Sequence, residues 1–158
     1  MKKIIFYIML SFPGIGVASN FIEKRADITL ELATKLATET LNTCHSINKY
    51  GVVSVVDRGG NLVTVMRDNN VGPHNTIASQ RKAYTALSTK IETSRLMNNA
   101  QMDSKSSNLN TIKELLLLGG GVPIRFDNEV IGAIGVAGMG GSILDEQCAT
   151  QAINKIMK

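Results

Sequence analysis

His74 is the residue best placed to do chemistry. It follows Gly72-Pro73, and the fixed φ of proline makes that loop stiff enough to aim an imidazole. Arg81 comes about two helical turns later, Tyr84 three residues after that, and Arg67 opens the polar loop that runs to Gly72. An imidazole aimed in this way can bind a transition metal or a haem iron, with Arg81 or Arg67 pairing an acidic group such as a haem propionate. A purely structural reading competes with it: His74 opens a helix and caps it, and Arg81 and Lys82 are solvated. Residue types and spacing leave both open.

Other chemistries find less support. Gly138 to Gly141 follows an apolar run and precedes a helical pattern, so its backbone N–H groups offer an anion site, and a small carboxylate would suit it. Yet neither G-x-G-x-x-G nor G-x-x-x-x-G-K-S/T occurs, and no lysine follows the glycines, which favours a tight strand-to-helix turn over a nucleotide loop. Two histidines and no nucleophile-elbow pattern give no Ser/His/Asp set. Asp57, Asp68, Asp127, Asp145 and Glu146 fall at turns and helix starts, where carboxylates have structural work. No cluster of Lys and Arg is interleaved with aromatics, so nucleic acid is not an expected partner.

The elements that must position His74 follow from periodicity. A first helix is expected over about Leu30 to Asn48, with Thr29 as N-cap and Leu30, Ala33, Leu36, Ala37, Leu41 and Cys44 recurring at helical spacing. His45 near its end reads as an exposed or capping histidine favoured by the helix dipole. Val52–Val56 and Leu62–Met66, joined through Gly59-Gly60, read as a hairpin. A second helix opens at Pro73-His74-Asn75 and runs through Leu87, and a third, shorter one lies within 89–102 with a cap at Thr93 or Ser94. Residues 103–110 are expected as a surface loop, and Leu115–Leu118 as a buried strand or turn closing on Gly119-Gly120-Gly121. Val122–Phe126 and Val130–Val136 form a second hairpin, in which Gly132 and Gly135 leave space for a helix, a neighbouring subunit or a flat ligand. A last helix starts at Ser142, with Asp145 placed as in a capping box. Paired strands joined by short turns predict α+β: a central antiparallel sheet with helices packed on it.

At 158 residues the chain fits one domain with one core. Lys2 and Lys3, an apolar run from Ile4 to Phe12, then Pro13, Gly14 and small residues have the layout of a signal peptide, cut after Ser19. The apolar run is about half the ~20 residues that span a bilayer. A mature chain beginning at residue 20, with a tail over 20–28 and one domain over 29–158, is expected in the periplasm or outside the cell. Its formal charge falls from +4 to +2 with the loss of Lys2 and Lys3. Cys44 and Cys148 each sit on an apolar helical stripe and are expected as two buried thiols, although an oxidising compartment permits a bond between them.

Four stretches together resemble the GlcG/HbpS-like family of haem-binding proteins, whose domain is sometimes labelled haem-degrading. They are VSVVDRGGNLVTVMRDNNVGP at Val53 to Pro73, SQRKAYTALS at Ser79 to Ser88, GGGVPI at Gly119 to Ile124 and GAIGVAGMGGSILDEQCA at Gly132 to Ala149. The resemblance implies a profilin-like or PAS-like α+β domain and self-association into dimers or larger rings. It also implies haem as ligand; on the reading of the residues given above, His74 then stands on the iron, with Tyr84 and His45 as alternative ligands and Arg81 and Arg67 at the propionates. A non-catalytic binder that sequesters haem, hands it on or reports it to a membrane sensor or transporter partner is the expected role. Oxidative haem degradation and small organic-acid binding are the alternatives.

Overall fold

The computed structural model describes residue 21 and residues 23–158; the expected leader over residues 1–19 lies outside the described residues. Helix α1 (Leu30–His45) starts where Thr29 Oγ1 accepts the Leu32 amide, with Glu31 at the positive end of the helix dipole and His45 at the negative end. It stops three residues before the expected end, as the chain turns and Asn48 takes a left-handed conformation at φ 56°. Strands β1 (Val52–Asp57) and β2 (Leu62–Arg67) form the first hairpin, closed by Gly60 at φ 84° and by the Asp57 carboxylate accepting the Asn61 amide. Helix α2 spans His74–Thr89 and α3 spans Thr93–Met102. Strands β3 (Gly121–Phe126) and β4 (Glu129–Ala137) meet at Asp127-Asn128, both with positive φ, as a tight two-residue hairpin turn requires. Helix α5 (Ser142–Ile156) closes the domain, and α4 is the single turn Ser104–Ser107.

The sheet is antiparallel throughout, in the order β2-β1-β4-β3. Alternation along β1 and β4 gives it two faces. Val53, Val55, Ile134 and Val136 point to α1 and α5, into the main core with Leu36, Ala37, Met139 and Ala149. Ser54, Val56, Ala133 and Gly135 point the other way, to α2, where Val56, Ala83, Ala86 and Ala133 form a second cluster. Small residues let α2 press close. A Cβ on Gly135 would lie 2.0 Å from the Ser79 carbonyl oxygen and 2.5 Å from the Ala83 nitrogen, and Ser54 and Ser79 share a buried 2.7 Å hydrogen bond between their hydroxyls. Helix α2 therefore occupies the space left by Gly135.

Four expectations are corrected. The 103–110 segment is not a plain loop: Asp103 caps α4, and a 3₁₀ turn follows at Asn108–Thr111. Leu115–Leu118 forms no strand, and only Leu115 of the four is buried; Thr85 and Thr93 hydroxyls stitch the segment down by bonding the Leu116 amide and the Leu118 carbonyl. Ser142 does not cap α5, whose N-cap is Gly141 at φ 127° without a side-chain hydrogen bond. Cys44 and Cys148 are bonded rather than free, with Cα atoms 5.6 Å apart, because α1 and α5 pack side by side on one face of the sheet. The segment before α1 is strapped to the hairpins: the Ile28 amide reaches the Ile131 carbonyl, and Asp27 Oδ1 accepts the Arg58 amide. Among the described residues no helix is long and apolar enough to cross a membrane.

Candidate functional site

His74 is the first residue of α2, directly after Pro73, and it is exposed. The ring edge carrying Cε1 and Nδ1 packs on Gly72, whose missing Cβ would lie 2.9 and 3.1 Å from those atoms. His74 borders a cavity of about 450 Å³ whose walls are Asn75, Ala78 and Lys82 of α2, Leu118, the Gly138–Gly141 turn, Ser142 and Asp145. Gly138, Gly140 and Gly141 have φ between 98° and 127°, conformations that side chains rarely allow, so this wall is bare backbone.

The floor holds a constellation that residue spacing had suggested for neither partner. Lys82 Nζ donates to Asp145 Oδ2 at 2.8 Å and to the Val136 carbonyl at 2.9 Å, while Asp145 Oδ1 accepts the Met139 amide at 2.9 Å. Both side chains are within a few per cent of complete burial. Burial raises the Asp145 carboxyl above its ordinary value, against the opposing pull of Lys82 and the amides. Lys82 lies with Ser79, Ala83 and Ala86 on the buried stripe of α2, and Asp145 lies with Cys148, Ala149 and Ala152 on that of α5. That periodicity was the available signal: a charge in the middle of a buried stripe needs a partner.

The other sequence candidates lie elsewhere. Arg81 donates from Nη2 to the Leu115 carbonyl at 2.5 Å, and Arg67 donates to the Val71 carbonyl, so both hold loops. Ten residues of helix, about 15 Å of rise, separate His74 from Tyr84, which packs over Gly60 beside Arg81 in a cleft of about 230 Å³. His45 Nε2 lies 3.0 Å from both oxygens of Asp68, whose Oδ2 also accepts the Gly51 amide. His45 thus serves the end of α1, while Asp68 faces a polar cavity of about 610 Å³ that shares Asn75 and Gly138 with the His74 cavity. Arg81 and Tyr84 are brought together, whereas His74, His45 and Arg67 are not brought together with them. A cation does stand at the glycine wall: Lys49 Nζ lies 3.5 Å from where a Gly140 Cβ would be.

Residues 28–154 match the family described as haem degrading protein HbpS-like. The chain belongs to the HbpS-like family. Among family relatives, an uncharacterized 15.0 kDa protein of Citrobacter freundii, from the dhaT-dhaS intergenic region, is 32% identical over 121 residues, which cover 75% of this chain and 85% of that one. A double mutant of Streptomyces reticuli HbpS superposes with a TM-score of 0.82 at 30% identity, covering 94% of this chain and 99% of that one. PduOC, solved as a haem complex, shares the fold with a TM-score of 0.74 at 22% identity over 82% of this chain and 94% of its own. The HbpS-like fold is thus the α+β sheet-and-helix arrangement described above.

Proposed function

We propose that this HbpS-like chain is an exported haem-binding protein, with His74 Nε2 as an iron ligand and the haem lying across the glycine wall. The observation that carries the reading is the placement of His74: an exposed imidazole with one ring edge held against Gly72, at the rim of an open cavity. The residues fit the group. A porphyrin supplies four nitrogens to its iron, so one imidazole completes a ligand set, and among the described residues no three His, Cys, Asp or Glu side chains cluster as a metal site of their own. The bare Gly138–Gly141 backbone would admit a flat ligand, Ala78 and Leu118 would give it apolar contact, and Lys49 stands at that wall to pair a propionate. Haem supplies redox chemistry when bound; the chain orients it. The family description and the haem complex of PduOC support haem as the ligand.

Export is supported by the bond between Cys44 and Cys148, since disulfides persist in oxidising compartments. Titration of the purified protein with haemin tests the reading. A saturable Soret shift at a fixed haem-to-chain ratio supports it, and a broad, non-saturating change contradicts it. The family description also favours a second reading, oxidative haem degradation. Reductant and oxygen added to the complex separate the two: a defined bile-pigment product marks an enzyme, and intact haem marks a binder.

A further inference from the structure

On the far side of α2's length from His74, a second cleft of about 510 Å³ is lined by Arg25, Arg58, Lys90, Arg125 and Glu129, with Tyr84 and Leu87 as its apolar side. The four cations come from four separate places: the strap before α1, the β1–β2 turn, the end of α2 and β3. Glu129 in the lining and Glu23 beside it match two of the four charges, and Lys90 and Arg125 face the space with no carboxylate partner among the described residues. Glu129 lies 2.9 Å from Arg58 and 3.9 Å from Arg25, and Glu23 outside the lining pairs with Arg25. Arg58 also donates to the Ala26 carbonyl and Arg125 to the Lys90 carbonyl at 2.5 Å, so the guanidiniums are held in place by the fold.

Lys90 is the telling residue. It ends α2 in the left-handed conformation at φ 59°, where glycine or asparagine is the usual choice. Its ammonium joins no ion pair among the described residues. The helix dipole accounts for a cation at that end, and Arg125 caps the Lys90 carbonyl there, yet neither role gives the Lys90 ammonium a counter-charge.

We propose that this cleft is a binding site for a multivalent, phosphate-bearing anion, distinct from the His74 cavity. A monocarboxylate would leave one of the two unpaired charges unmatched, whereas a phosphate-bearing anion can meet both, and a guanidinium pairs phosphate oxygens two at a time. A soluble polyphosphate and the headgroup of an anionic lipid share this chemistry.

The test is calorimetric titration of the purified protein with pyrophosphate, beside co-sedimentation with phosphatidic acid vesicles, for wild type, Lys90→Asn and Arg125→Gln. Asparagine suits the left-handed position, so Lys90→Asn removes the charge and keeps the fold, as an unchanged melting temperature verifies. One saturable pyrophosphate site per chain, weakened at least tenfold in both variants and by added salt, supports a soluble ligand. Vesicle binding without pyrophosphate binding, lost in the same variants, supports the same chemistry on a lipid. Binding of neither, or binding unchanged in the variants, overturns the proposal. Haemin titration of the variants keeps the two sites apart: unchanged haem binding is expected, and loss of haem binding without any phosphate binding would make the cleft a propionate site and overturn the proposal as well.

Discussion

Lys82 Nζ lies 2.8 Å from Asp145 Oδ2, with both side chains almost wholly removed from water. The pair joins the middle of α2 to the first turn of α5 beneath the glycine wall, and it binds the strand carbonyl of Val136 and the Met139 amide as well. Helix, sheet and turn therefore meet at one buried ion pair. Removing one partner leaves a charge with no counter-charge in a dry site, which costs about 3–5 kcal/mol, whereas replacing both with apolar groups costs far less. Lys82→Met is expected to lower stability by that amount in urea unfolding, and the double variant Lys82→Met/Asp145→Leu to recover at least half. A double variant no more stable than Lys82→Met would show that the pair does not act as a unit.

The pH dependence has a defined sign. Burial raises the Asp145 carboxyl above its ordinary value, so in the interval between its unfolded and folded values the folded protein holds more protons than the unfolded chain. Its contribution to stability therefore grows as pH falls through the folded value and is lost as pH rises through it. Unfolding free energies of wild type minus those of Asp145→Asn, measured from neutral to acid pH, should rise on acidification and level off below the ordinary carboxylate range. A difference that falls on acidification would mean that pairing with Lys82 outweighs desolvation.

The Cys44–Cys148 bond closes a sequence separation of 104 residues between the first and last helices of the domain. Constraint of the unfolded chain by a loop of that length is worth about 4–5 kcal/mol at most. Reduction, or the Cys44→Ala/Cys148→Ala variant, should lower the unfolding midpoint accordingly, and thiol titration under denaturing conditions without reductant should find no free thiol. Two titratable thiols in protein taken from an oxidising compartment would contradict the bond.

Gly135→Ala is expected to be among the most damaging conservative changes. Its new methyl would meet the Ser79 carbonyl and the Ala83 nitrogen, backbone atoms that move only with α2. A loss of about 3 kcal/mol or more is expected, read as a lowered melting temperature together with a lost Ser54–Ser79 contact. A neutral substitution would show that α2 does not rest on β4 as closely as described.

The two hairpins, the α2 start at His74 and the final helix were legible in the sequence, because Gly60, Asp127-Asn128 and Pro73 carry local conformational requirements. Local rules failed where a distant partner decides. Asp145 has the spacing of a capping residue behind Ser142, yet Lys82, 63 positions earlier, captures it. Thr93 has the type of an N-cap, yet its hydroxyl bridges the Leu118 carbonyl and the Gly121 amide. Likewise, pairing of the cysteines depends on α1 and α5 lying side by side, which the apolar stripe of each helix alone does not specify. Type and spacing make Arg81 and Arg67 candidate propionate partners, whereas their carbonyl partners at Leu115 and Val71 appear only once the loops are folded.

Haem ligation through His74 is tested most directly by optical and paramagnetic resonance spectra of the haem complex of His74→Gly, recorded with and without added imidazole. The account predicts that the variant keeps its fold, loses the Soret shift and the imidazole-ligated resonance signature of the wild type, and regains both when free imidazole fills the vacated position. A wild-type spectrum in the variant without imidazole would contradict it and place the iron on another residue.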